Sequence, residues 1–200
     1  MRETVRFHFD PLCPWAWQSS KWIREVAEVR DVEVEWCLFS LQLINAKEGE
    51  EDPLADRHKK GTPALRTLVL VQRDAGSEGV GRVYEAIGNR IHEGDEELDP
   101  DVVKNALGDA GFDPSLVDAA LEDGSTMDEV RRQHDEIVET VGAFGVPTLV
   151  FASGKAIFGP VVSSPPGGEF SGELFDHVKA LAETDTFFEL KRERDRRPGE

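Results

Sequence analysis

The chain has 200 residues, a net charge of −17 from 40 acidic and 23 basic side chains, and two cysteines, Cys13 and Cys37. That length carries a full hydrophobic core without disulfide staples, and 39% hydrophobic with 32% charged content describes a globular rather than a disordered protein. The acidic excess argues against nucleic acid or an anionic membrane surface as partner, the longest apolar runs, such as Leu68 to Val71, fall far short of the ~20 residues of a membrane span, and two cysteines are too few for a four-cysteine zinc site.

Met1 to Thr4 carry no leader pattern. Val5 to Phe9 instead alternate apolar and polar residues and predict a strand. The expected location is the cytoplasm, where thiols are kept reduced, so cysteine chemistry is expected to be catalytic or absent. Asp10-Pro11-Leu12 is a turn. A helix follows from about Pro14 to Val29, because proline suits a first helical position and Trp15, Trp22, Ile23, Val26 and Val29 form an apolar stripe. Asp31 to Ser40, with Val32, Val34, Trp36 and Leu38 in period two, predicts a second strand parallel to the first.

From about Glu48 to Phe144 no strand pattern appears. Residues 53–75, 79–92, 100–110, 114–122 and 126–143 read as helices, with start signals at Asp99-Pro100, at Asp113-Pro114 and at Ser125 or Thr126. Gly76, Gly94, Gly111 and Gly124 punctuate them. Strands return at Pro147 to Ala152 and Ala156 to Phe158 around a Ser153-Gly154 turn, which makes a hairpin. A helix over about 171–184 closes the fold, and Lys191 to Arg197 is a mixed charge run that reads as a solvated end. The expected organisation is a sheet domain of residues 1–47 and 145–200, with residues 48–144 inserted as a helical domain.

Cys13, at the junction of the first strand and first helix, is the chemically informative residue. The free N–H groups and the dipole of a helix start stabilise a thiolate, which is the nucleophilic form. Pro14 and Trp15 follow it, and Trp15 reads as a lid over the thiol. Cys37 lies on the strand face opposite Trp36 and Leu38 and reads as structural, since it is not expected within the roughly 4.4–6.8 Å window of a disulfide with Cys13. Asn45, near where the helical block leaves the sheet, is a candidate cleft residue. His92 closes a predicted helix; taken alone it reads as a surface histidine on the helix dipole. His8, His58, His134 and His177 read as packing or surface residues. Val146-Pro147 opens the third strand, where a proline cannot donate to the ladder. No Gly-x-Gly-x-x-Gly after a strand, phosphate-loop lysine or Gly-x-Ser-x-Gly elbow is present, so no tightly bound nucleotide or flavin and no metal site are expected.

The order of strand, Cys-Pro-Trp helix, strand, helical block, Val-Pro-Thr, hairpin and helix resembles a DsbA-like thioredoxin fold: an α/β class with a large all-helical insertion. Four stretches resemble the actinobacterial mycothiol-dependent nitroreductase and disulfide reductase family. They are Phe9 to Trp15, Gly88 to His92 with Glu97-Leu98 beyond, Phe158 to Ser163, and Phe187 to Arg192. The resemblance implies that Pro147 forms a cis-proline loop facing Cys13 and that the insertion roofs the cysteine. It makes Pro14, Trp15, Asn45, His92, Val146 and Pro147 candidate substrate-binding residues, with His92 orienting substrate or acting as acid or base. Two positions depart from the pattern. Ala16 stands where disulfide reductases of the family have a second cysteine, and Gly167 stands where arginine is common.

A methyl group cannot resolve a mixed disulfide, so a dithiol cycle between positions 13 and 16 is excluded. The expected activity is that of a monothiol oxidoreductase. Cys13 attacks a disulfide or small electrophilic substrate, and a low-molecular-weight thiol, mycothiol by resemblance, clears the adduct. The alternatives are a thiol transferase or isomerase like the kappa-class glutathione transferases, where Cys13 forms no covalent bond, and a redox-inactive binding module. The oligomeric state is left open between monomer and homodimer.

Overall fold

The computed structural model describes residues 2–46 and 52–200. A four-stranded sheet is ordered β2-β1-β3-β4, from β1 (Glu3–Phe9), β2 (Val32–Leu38), β3 (Thr148–Val150) and β4 (Ala156–Phe158). The first two strands are parallel, with Phe7 opposite Trp36 and Phe9 opposite Leu38, while β3 is antiparallel to both its neighbours. The α1 helix (Pro14–Val29) makes the crossover between β1 and β2. Strand alternation sorts the sheet's two faces. Val5, Phe7 and Phe9 are fully buried on one, where Phe9 stacks on Tyr84 at 3.7 Å and Phe7 meets the Trp36 edge at 5.2 Å. Arg6, His8, Glu35 and Cys37 line a cleft on the other, against Gln133 and Ile137.

The helical block comprises α2 (Leu41–Asn45), α3 (Ala55–Lys59), α4 (Thr62–Gly88), a π-helical turn (Asn89–Glu93), α5 (Pro100–Asp109), α6 (Leu116–Glu122) and α7 (Gly124–Val141). The expected pair of helices over 53–75 and 79–92 is reorganised. Residues 55–59 are a separate short helix, and α4 runs on past Gly76, whose φ of 63° breaks the helical backbone at that residue. Its last turn widens into the π turn that carries His92. The short α2 has no sequence-predicted counterpart; Ser40 caps it by accepting from the Leu43 N–H at 3.2 Å. Asp123, rather than Ser125 or Thr126, caps α7.

Sheet and helical block share one continuous hydrophobic core, from Val5 and Phe7 through Leu68, Val80 and Tyr84 to Leu107 and Val117. Two glycines of α4 permit the close approach. A Cβ at Gly81 would stand 2.4 Å from the Trp36 indole, and one at Gly88 would stand 2.3 Å from the Trp17 ring. The last helix, α8 (Glu169–Ala182), packs on α1; the Trp22 indole N–H donates to the Ser171 carbonyl at 3.0 Å, and Phe175 lies against the Trp22 ring. Among the described residues no helix is long and apolar enough to cross a membrane.

Candidate active site

Cys13 is the N-cap of α1, with φ −81° and ψ 109° just outside the helix. Pro14 occupies the first turn, where its missing N–H costs nothing. The Cys13 sulfur accepts from the Ala16 N–H at 3.4 Å, and its S–H donates to the Val146 carbonyl at 3.5 Å. The Val146–Pro147 peptide is cis, and Gly159 N–H holds the Pro147 carbonyl at 2.8 Å. Val146, on the N-terminal side of the cis bond, therefore meets the Cys13 turn directly. A second cis peptide, Gly159–Pro160, places the Pro160 carbonyl to accept from Ser19 Oγ at 2.7 Å.

The helix start does not by itself make Cys13 a thiolate. The residue is 9% exposed, and burial pushes its thiol up. The Ala16 N–H pulls the other way, the Asp10 charge adds to the rise, and the Trp15 N–H and the Arg194 charge lower it. The helix start does favour the thiolate through the Ala16 N–H, as expected, but loss of water raises the thiol by more.

Asp10 is the functional residue that the sequence hid. Its carboxylate is fully buried at the end of β1. Oδ1 accepts from the Leu12 N–H at 2.9 Å and Oδ2 from the Leu41 N–H at 2.8 Å, so one side chain ties the Cys13 turn to the start of α2. Burial raises its pKa to about 6, against those two N–H bonds and the charge of His58. In the sequence, Asp-Pro-Leu reads as a turn inside the resembling stretch Phe9 to Trp15, with Asp10 three residues ahead of Cys13 and no role assigned to it. The π turn grips the same region. His92 Nε2 meets the Pro11 carbonyl at 2.9 Å and its ring stacks on Trp17, while Glu93 accepts from both the Trp17 indole N–H and Lys21 at 2.7 Å. Burial lowers the pKa of His92. A carbonyl only accepts, so Nε2 is the donor and His92 holds the turn as a neutral ring.

The structure brings Pro14, Trp15, His92, Val146 and Pro147 together around Cys13, but not Asn45. That residue ends α2, is exposed, and donates its amide to its own helix at the Leu41 carbonyl, 2.8 Å away. Cys37 opens into the cleft on the far face, donating to the Glu35 carbonyl at 3.6 Å. The C-terminal charge run is not simply a solvated end. The Arg194 guanidinium lies over the Trp15 ring, 5.0 Å from its centroid, and Gly199 N–H donates to the Ser163 carbonyl at 2.7 Å. Gly167 has a φ of 90°, a conformation that would strain the arginine common in the resembling family.

A cleft of about 400 Å³ opens beside the Cys13 turn, between Leu12, Arg57, Lys60, His92, Glu96 and Glu97. Leu12, Ile91 and Leu98 give it an apolar floor, and charged side chains of both signs stand around that floor. Among the described residues no group of three or more histidine, cysteine, aspartate or glutamate side chains is placed to hold a metal ion.

Comparison with known proteins agrees with this arrangement. The family model described as Mycothiol-dependent nitroreductase Rv2466c (Rv2466c-like) matches residues 12–192. A relative from Mycobacterium tuberculosis (strain ATCC 25618 / H37Rv), named Uncharacterized protein Rv2286c, is 40% identical over 190 residues, covering 94% of this chain and 81% of the relative. Among solved structures, a putative protein disulfide isomerase from Nitrosomonas europaea superposes with a TM-score of 0.63 at 16% identity, over 90% of this chain and 98% of that one. A probable DsbA oxidoreductase, SCO1869 from Streptomyces coelicolor, gives 0.62 at 21% identity, over 96% and 94%. At these identities the structures speak for the fold: DsbA-like, with the helical block between β2 and β3.

Proposed function

This chain belongs to the Rv2466c-like mycothiol-dependent nitroreductase family, and on that premise we propose that it is a monothiol oxidoreductase, with Cys13 as nucleophile and mycothiol as the second thiol. The observation that carries this reading is the pairing of Cys13 with Ala16. The sulfur sits at a helix start facing the carbonyl of Val146, the residue before the cis-proline, and one turn on, where a resolving thiol would stand, there is a fully buried methyl group. The only other cysteine lies on the opposite face of the sheet.

The cycle needs two exchanges. The Cys13 thiolate attacks the mycothiol sulfur of a mixed disulfide. A new S–S bond forms as the old one breaks, and the substrate thiolate departs and takes a proton. A second mycothiol thiolate then attacks the mycothiol sulfur of the Cys13 adduct, releasing the Cys13 thiolate and mycothiol disulfide. In sum, one mycothiol and one mixed disulfide give one substrate thiol and one mycothiol disulfide, with two electrons passing to the substrate. The cleft beside Leu12 suits the hydroxyl-rich body of mycothiol, with Arg57, Lys60 and Glu97 at its rim. Asp10 and His92 hold the turn that presents the sulfur, and the Val146 carbonyl guides the incoming disulfide along the cis-proline edge.

Intact-mass analysis tests this. After incubation with mycothiol disulfide the protein is expected to gain one mycothiol on Cys13, and free mycothiol is expected to remove it. In an Ala16→Cys variant an internal disulfide is expected to replace the adduct. Thiol-dependent turnover without any adduct, persisting in Cys13→Ser, would overturn the reading in favour of a kappa-like transferase. Absence of both adduct and turnover would leave a binding module.

A further inference from the structure

We propose that Arg194, carried onto the Trp15 ring by the C-terminal segment, is a positioning residue for Cys13: it sets a cation against the outer wall of the nucleophile's turn. The inference rests on the reading of Cys13 as the nucleophile and adds a residue that lies beyond the 12–192 segment matched by the family model.

Three observations carry it. The guanidinium lies 5.0 Å from the centroid of the Trp15 ring, and Trp15 is the second residue after Cys13. Arginine suits this seat because its planar group stacks on an aromatic face while keeping its charge. The segment is also fastened beyond Arg194. Gly199 N–H donates to the Ser163 carbonyl at 2.7 Å, and Glu200 N–H donates to the Arg197 carbonyl at 3.2 Å. A Cβ at Gly199 would stand 3.5 Å from Gln18 Nε2, so the segment runs along α1 one turn past Trp15. The tail thus crosses the first turns of the helix that Cys13 caps.

The third observation is the charge around the sulfur. From the end of β1 comes the Asp10 carboxyl, which opposes ionisation. From α4 comes Tyr84, which is fully buried and whose hydroxyl burial keeps protonated. From the π turn comes His92, neutral and spent on Pro11. Arg194 supplies a cation, and its charge works against the burial that holds the thiol protonated. The tail therefore does two things at one place: it walls the turn, and it supplies a positive charge that this framework of Asp10, Tyr84 and His92 does not provide.

The test is the pH dependence of Cys13 alkylation by iodoacetamide, followed by intact mass with peptide mapping, in the full chain, Arg194→Gln and Arg194→Lys. Arg194→Gln is expected to slow alkylation at neutral pH about threefold, the scale of an exposed charge interaction, and to move the midpoint to higher pH. Arg194→Lys is expected to fall between the two, keeping charge but losing the planar stack. High salt is expected to bring the unsubstituted protein down to the Arg194→Gln rate. An unchanged midpoint in Arg194→Gln, or faster alkylation at every pH, would overturn the proposal and leave the tail as a cover alone. Alkylation needs no mycothiol, so failure of the adduct experiment above and failure of this one are separate results.

Discussion

Cys13 and Cys37 are equally exposed, at 9% each, and each donates to a backbone carbonyl, yet the groups that face the two sulfurs differ. Cys37 sits inside β2, where the Trp36 N–H donates to Ser77 Oγ of α4 and the Leu38 N–H to Gln133 Oε1 of α7. Burial, with the charge of Glu35 next, pushes its thiol to about 12. Cys13 sits at a helix start, where its sulfur accepts from the Ala16 N–H and the Arg194 guanidinium lies over the nearby Trp15 ring. Burial alone therefore does not separate an inert thiol from a working one. The difference lies in which groups remain to receive a negative charge once the sulfur loses its proton.

Substituting each thiol in turn gives the largest contrast. Cys13→Ser is expected to lower thiol-dependent turnover by at least about 10³-fold, the scale on which a nucleophile acts. Cys37→Ser is expected to leave turnover within about twofold, since that sulfur offers little thiolate. Steady-state assays on both variants check the pair. Comparable losses would erase the distinction.

Asp10 sharpens the comparison from beneath Cys13. Its folded pKa of about 6 lies above the ordinary carboxyl value of 3.8. Between those values the native protein holds a proton that the unfolded chain has released, so the Asp10 contribution is fully present below about pH 4 and is lost as pH rises through about 6. The loss amounts to ~3 kcal/mol. Asp10→Asn removes this slope and forfeits a buried N–H acceptor, a cost of about 1–3 kcal/mol. Urea titrations are expected to show wild type ahead at pH 4, with that advantage erased or reversed by pH 7. A wild-type advantage that grows over that range would contradict the buried-acid reading.

Gly88→Ala is the subtler probe. Its new methyl would meet the Trp17 ring at 2.3 Å and push the π turn off α1. A loss of about 2 kcal/mol is expected. Hydrogen exchange is expected to quicken over residues 89–93 around His92 and Glu93 and to stay unchanged in β2 around Cys37. Uniform quickening would mean that the π turn is not a separate support of the Cys13 side.

Strand alternation in Val5–Phe9 and Val32–Leu38 and the proline at position 14 made the parallel unit and its cysteine legible, because those signals are local. The break at Gly76 was legible for the same reason. The helical stretches on either side of it were legible too, whereas the separate short helix over 55–59 and the π turn that ends α4 were not. Asp10 was hidden because its partners, Leu12 and Leu41, meet only after folding. Arg194 was hidden because a charge run shows nothing of the ring on which one of its members lands. The place of Asn45 at the exposed end of α2, with its Nδ2 on the Leu41 carbonyl, was likewise out of reach, since α2 itself had no sequence signal.

The bond from Cys13 to the Val146 carbonyl also bears on oxidative damage. A carbonyl accepts from a thiol but repels a thiolate, so this contact favours the protonated resting sulfur. Peroxide oxidises thiolates to sulfenic acid, and a neighbouring thiol ordinarily halts that progress by condensing to a disulfide. With alanine at position 16, no such rescue exists within the active-site helix. A sulfur kept protonated by that carbonyl is thereby a poorer target for peroxide than a thiolate would be.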